Sequence, residues 1–185
     1  MATSTKPTDV LRHEHQVILM VLDAAEQEAA SIAATGMVDA GRVEKMVDFI
    51  RTFADRCHHA KEEDLLFARM AERGFPPHAG PIGVMLHEHE QGRAHVRAVA
   101  EALPAAAEGD AAALTRVREN LVGYAALLRA HIYKEDNILY PMADQALSED
   151  DQRALAEGFE RVEREELGEG VHEYYHRLAH ELAGR

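Results

Sequence analysis

Apolar residues recur along this chain at alternating steps of three and four, the period of helices that bury one stripe against neighbours. The first stripe reads Leu11, His15, Ile18, Leu22, Ala25 and Ala29. It predicts a helix that starts near a Thr8-Asp9 cap and fades at Thr35-Gly36. Asp39 and Gly41 open a second, with Val43, Val47, Ile50, Ala54, His58, Glu62 and Leu65 on one face. It runs to about Glu72, before the breaker Gly74-Phe75-Pro76-Pro77. Pro81 suits the first turn of a third, whose stripe is Ile82, Met85, His89, Gly92, Val96, Val99 and Leu103, closed by Pro104 and Gly109. Asp110 caps a fourth, with Leu114, Val117, Leu121, Tyr124, Leu128, His131, Glu135, Ile138 and Met142 in line. Ser148-Glu149-Asp150-Asp151 reads as a capping-box start for a shorter helix to about Glu166. Gly168 and Gly170 separate it from a last amphipathic segment, 171–182.

The first half of this pattern is repeated in the second. His58-His59-Ala60-Lys61-Glu62-Glu63-Asp64-Leu65-Leu66-Phe67 returns 73 residues later as His131-Ile132-Tyr133-Lys134-Glu135-Asp136-Asn137-Ile138-Leu139-Tyr140. Leu11-Arg12-His13-Glu14-His15 is echoed 74 residues on by Met85-Leu86-His87-Glu88-His89. First helix matches third and second matches fourth. The fold class that follows is all-α: an up-down four-helix bundle made of a duplicated helical hairpin, with one or two extra C-terminal helices. The expected division is a disordered polar tail over 1–8, the bundle over 9–145, and a C-terminal helical extension over 146–185 packed on it.

Composition narrows the function. Only 5% of the 185 residues are aromatic and the net charge is -13, which argues against nucleic acid and anionic membrane surfaces, since both call for basic patches. The single cysteine, Cys57, excludes an internal disulfide and fits a reducing compartment. No apolar run approaches the length of a membrane span. The expected location is the cytoplasm.

Six positions break the apolar stripes: His15, His58, Glu62, His89, His131 and Glu135. Imidazoles and carboxylates buried where the pattern demands hydrocarbon are costly unless something pairs with them. A single seam histidine is ordinarily a core imidazole satisfied by a backbone group. Six on four converging stripes point to metal ligation, with two carboxylates and four imidazoles shared between two ions. Imidazole with carboxylate suits iron, manganese or zinc, and the residue types alone do not choose among them.

Glu14-His15, His58-x-x-x-Glu62, Glu88-His89 and His131-x-x-x-Glu135 resemble the motifs of the hemerythrin-like, or HHE cation-binding, family. The resemblance covers about residues 9–145. It implies a four-helix bundle around two non-haem iron ions, oxo- or hydroxo-bridged. In the oxygen-carrying members a fifth histidine follows the third-helix ligand by one turn, where this chain has Arg93. The pattern is similar instead to members with four histidines and two glutamates. Three functions stay open. The favoured one is a protein that binds O2, NO or a related small ligand, in a setting of oxidative or nitrosative stress that the resemblance supplies. The second is an enzyme that disproportionates peroxide, or that reduces NO with electrons from a donor protein. The third is an iron buffer.

The neighbours of these six have blander readings. His59-x-x-x-Glu63 has the same spacing as His58-x-x-x-Glu62, and alignment of the repeats selects His58 and Glu62. Glu63 and Asp136 lie one position off the stripe, as surface acids or partners for a histidine N–H. His13 and His87 turn away to solvent. Tyr124 reads as a core residue with a hydrogen-bonded hydroxyl, Cys57 as an inert buried thiol, and His172, His176 and His180 as surface histidines on a packing helix.

Overall fold

In a computed structural model that describes residues 6–168 and 170–184, the stripes form six helices among the described residues. Helix α1 is Pro7–Thr35. Helix α2 (40–72) begins as Ala40–Phe49 and continues, with right-handed helical torsions at the joints, through Ile50–His59 and Lys61–Leu66 to Phe67–Glu72. Helix α3 is Gly80–Ala107. Helix α4 (111–146) runs from Ala111–Lys134 through Glu135–Leu139 into Tyr140–Ala146. Helix α5 (149–167) is Glu149–Val162 extended by Glu163–Leu167, and α6 is Val171–Leu182. No helix among the described residues is long and apolar enough to cross a membrane.

Local chemistry sets most of the boundaries. Asp39 and Asp110 each accept a hydrogen bond from a first-turn N–H, Arg42 at 2.9 Å and Ala113 at 2.7 Å. Ser148 and Asp151 close a reciprocal capping box. Gly36 ends α1 with φ 67°, a left-handed conformation open to glycine. Two boundaries differ from the reading above. The cap of α1 is Lys6 with Pro7 in the first turn; Thr8 is buried inside the helix and its hydroxyl donates to Asp144 at 2.7 Å. Of the expected tail, 1–5 lies outside the described residues. Pro104 does not close α3 but sits on its exposed face, and the helix continues to Ala107.

The core is in two pieces. One apolar cluster joins the C-terminal part of α1, the first half of α2, the second half of α3 and the first half of α4, with Phe49, Val117 and Leu121 inside it. The other lies toward the opposite end and includes Leu11, Met70, Ile82, Leu139 and Tyr140. Helix α6 covers the first cluster with Tyr175, Leu178, Ala179 and Leu182. Helix α5 covers the second with Leu155 and Phe159. Arg73 grips Asp151 through Nε at 2.9 Å and an Nη at 2.8 Å, which fastens the start of α5 to the end of α2. The six polar stripe positions fall in the layer between the two clusters.

Two stretches of the bundle depart from α-helical spacing. Residues 50–59 and 61–66 of α2, and 135–139 of α4, hydrogen-bond from i to i+5, so each turn takes in an additional residue. The α2 stretch runs from the first apolar cluster into the polar layer, and the α4 stretch begins at that layer with Glu135.

Candidate metal centre

On a regular helix successive side chains point about 100° apart, so His58 and His59 share the interior only as the two edges of a wide stripe. Both lie in the wide-turn stretch of α2. His58, His59 and Glu62 all project into the polar layer, where they meet His15 from α1, His89 from α3, and His131 and Glu135 from α4. All seven are at most 4% exposed. The donor atoms fall into two overlapping groups, each within 4.8 Å: His59, Glu62, His89 and His131, and His15, His58, Glu62 and Glu135. Glu62 belongs to both. Glu135 spans them as well, with Oε2 3.2 Å from His15 Nε2 and Oε1 3.2 Å from His131 Nε2.

All six residues singled out in the sequence are thus brought together, and His59 joins them. Alignment of the repeats matches His58 and Glu62 to His131 and Glu135, which leaves His59 opposite Ile132, a buried aliphatic. His13 and His87 are exposed, as expected. Of the C-terminal histidines, His180 is exposed while His172 and His176 are half-buried, the latter stacked on His13 at 5.8 Å. Cys57 is buried, and burial pushes its thiol up to about 12. Tyr124 is buried too, but its hydroxyl has no hydrogen-bond partner among the described residues, contrary to the expectation of a bonded one. It lies in the apolar cluster, against Gly92 where α3 and α4 approach closely.

Each of the five imidazoles has a carboxylate on Nδ1. His58 donates to Glu14 at 2.8 Å, His89 to Glu63 at 2.7 Å, His131 to Glu88 at 2.9 Å and His15 to Asp136 at 2.8 Å. These four bonds run in a ring: α1 holds α2, α2 holds α3, α3 holds α4, and α4 holds α1. His59 donates to Asp55 at 2.9 Å on its own helix. A carboxylate only accepts, so Nδ1 carries the hydrogen and Nε2 is left to face the centre. Such a partner is the usual device for orienting a ligating histidine.

A further layer steadies the acids. Arg93 donates to Asp55 at 3.0 Å and to Glu63 at 2.7 Å, so it holds the acids behind His59 and His89. Lys61 donates to Glu14, and its repeat partner Lys134 donates to Glu88. Tyr140, buried in α4, donates its hydroxyl to Glu62 and sits 3.3 Å from His15 Nε2. Sequence reasoning matched Tyr140 to Phe67 only as aromatic on aromatic. The added hydroxyl was the signal that could have found it.

The electrostatics match a site built for a cation. Burial raises Glu14, yet His58 and Lys61 outweigh it and hold its carboxyl at about 2. Burial opposes ionisation of Glu135 as well, and His131 and His15 pull it well below the usual range. Burial and the charges of Glu135 and Glu62 push Tyr140 well above the ordinary phenol. His59 is driven well below the usual imidazole by burial, then by repulsion from His89 and His58. Glu62 Oε2 and both Glu135 oxygens are buried without a hydrogen bond among the described residues. His89 Nε2 and His131 Nε2 face each other at 3.0 Å. Carboxylate oxygens without donors, beside imidazole nitrogens aimed at one another, are what bound cations would reconcile.

A family model described as the hemerythrin HHE cation binding domain matches residues 5–143. The chain belongs to this family. The family is one that binds metal cations, and the His/Glu clusters of this chain could hold them. Curated relatives include uncharacterized proteins of Mycobacterium tuberculosis and Mycobacterium bovis, each 26% identical over 165 residues. The alignment takes in 89% of this hemerythrin-like chain and spans 64% of the length of those relatives.

Proposed function

We propose that the protein binds two iron ions in the polar layer and uses them to capture a small ligand such as O2, NO or peroxide. The observation that carries this reading is the convergence of five oriented imidazole Nε2 atoms on three carboxylate oxygens with no hydrogen bond. His59, His89 and His131 would hold one ion, His15 and His58 the other, with Glu62 and Glu135 shared between them. When bound, the pair supplies Lewis acidity and one-electron chemistry toward a small molecule. Iron is chosen by the family; the donor set also suits manganese or zinc.

The rest of the reading concerns the chain's own groups. The His15/His58 side has two imidazoles against three on the other, and so leaves more room for an incoming ligand. Tyr140 is the hydroxyl on that side, able to hold a proton between Glu62 and His15. Every donor is almost fully buried, which restricts the ligand to a few atoms and keeps bulk water from the centre.

Metal analysis of the purified and iron-reconstituted protein tests this directly. Two irons per chain, with an optical spectrum that changes on adding O2, NO or peroxide to the reduced form, is the expected result. A stable adduct supports capture, and catalytic consumption of peroxide would replace it with an enzyme. A single zinc, or no metal after reconstitution, would refute the assignment.

A further inference from the structure

Lys61 is one of the largest fully buried side chains in the protein, and it is a cation. Its ammonium lies between two carboxylates: Glu14 from α1, and Glu163 from the C-terminal part of α5 at 2.6 Å. Burial alone would lower its pKa, but these acids outweigh it and raise it above the ordinary lysine, so the charge is kept. Glu14, Glu163 and His172 also converge as a third set of metal-type donors within 4.8 Å. Lys61 already supplies the positive charge there, so these residues are better read as the lysine's counter-charges than as another metal site.

The second half of the duplication lacks this arrangement. Lys134 bonds to Glu88 in the same way but is 33% exposed, and its ion pair is with Glu88 alone among the described residues. Glu163 lies in the extension that follows the duplicated bundle and has no counterpart in the repeat. A continuous line of contacts therefore runs from the extension to a proposed ligand: Glu163 to Lys61, Lys61 to Glu14, Glu14 to His58.

We infer that the C-terminal extension is an electrostatic part of the metal centre: Glu163 compensates Lys61, and thereby sets how firmly Glu14 holds the N–H of His58 and how strongly His58 donates to metal. This inference rests on the metal-centre reading above. An imidazole whose N–H is held by a full carboxylate charge is a more basic ligand. An ammonium on that carboxylate drains the effect, and a second carboxylate on the ammonium restores it. Lys61 and Glu14 are buried, so their charges act more strongly than surface charges on one side of the centre, and Glu163 is the partly exposed end of the line. On the other side solvent screens Lys134. Glu163 and Lys61 are thus positioning residues, and removing them should have opposite effects.

The test uses Glu163→Gln and Lys61→Met in the full chain, with Lys134→Met and the exposed Glu160→Gln as controls. In the metal-free protein, the His58 Nδ1 proton resonance should move upfield in Glu163→Gln and downfield in Lys61→Met, with both controls near wild type. In the iron-loaded protein the reduction potential should rise in Glu163→Gln and fall in Lys61→Met. Metal affinity in Glu163→Gln should weaken about tenfold, the lower end for partners of ligating histidines. A general loss of packing would shift both variants the same way. Shifts of one sign, or none, in either measurement would overturn the inference. A wild-type protein that takes up no metal would instead sink the proposed function, and the proton shifts would still report the Glu163–Lys61–Glu14–His58 line.

Discussion

Metal uptake by this protein should expel protons, and the structure says from where. His15 has a carboxylate on each ring nitrogen, Asp136 at 2.8 Å on Nδ1 and Glu135 at 3.2 Å on Nε2. His89 is placed the same way, between Glu63 at 2.7 Å and Glu62 at 3.4 Å. Burial alone would lower both pKa values. For His15 the hydrogen bond to Asp136 and the nearby Glu135 carboxylate outweigh it, and for His89 the nearby Glu62 carboxylate and the hydrogen bond to Glu63 do, pushing each up to about 10. Without metal both rings therefore hold two protons at neutral pH, and ligation through Nε2 removes one from each. Two protons released per loaded centre means an affinity that climbs about a hundredfold per pH unit, or roughly ten-thousand-fold between pH 6.5 and 8.5. Stability of the metal-free protein should run the other way. A folded pKa raised above the unfolded value gives stability that is fully present below about pH 6.5 and lost as pH rises through about 10. Calorimetric titration with Zn2+ or Fe2+ in buffers of different ionisation enthalpy counts the protons, and thermal melts of the metal-free protein follow the second trend. Metal uptake without proton release, or affinity and metal-free stability rising together with pH, would refute the reasoning.

Three further outcomes follow from the same geometry. His59→Ala should weaken metal binding by at least tenfold at one of two positions, leaving the other near wild type; full uptake of two ions at unchanged affinity would return His59 to a packing role. Tyr140→Phe should keep metal stoichiometry but alter the absorption spectrum and the lifetime of any ligand adduct, because Glu62 loses its hydroxyl donor; stopped-flow mixing with NO or peroxide measures this. Phe49 is fully buried, with Phe53 at 5.0 Å and Tyr175 of α6 at 5.8 Å, so Phe49→Ala should cost about 3–5 kcal/mol in denaturant unfolding. Retention of wild-type stability would mean that α6 closes over the space.

The bundle was legible because its stripes are periodic, and the six polar positions because each interrupts a stripe where an apolar residue belongs. The internal repeat made both readings stronger, and it also hid what the repeat does not share. Sliding one half onto the other pairs His59 with Ile132, Phe67 with Tyr140, and buried Lys61 with half-buried Lys134. The first two pairs differ by one polar group and the third by burial and partners, and each difference bears on the centre: a fifth imidazole, a hydroxyl on Glu62, a buried cation tied to the extension. None of the three follows from period or spacing. His59 faces inward in a stretch where α2 hydrogen-bonds from i to i+5, which a pattern of regular turns does not contain. Glu163 reaches Lys61 only through the docking of α5, a contact across 102 residues of chain. Duplication alone would give two equivalent halves. The polar layer instead has three imidazoles on one side, and on the other two imidazoles, a phenol and a shielded lysine. Two ions held there would differ in charge environment and in room for a ligand, so a small molecule would have one preferred side to bind. In the proposed reading the bundle would set the place of the centre, and the departures from its symmetry the side on which a ligand would bind.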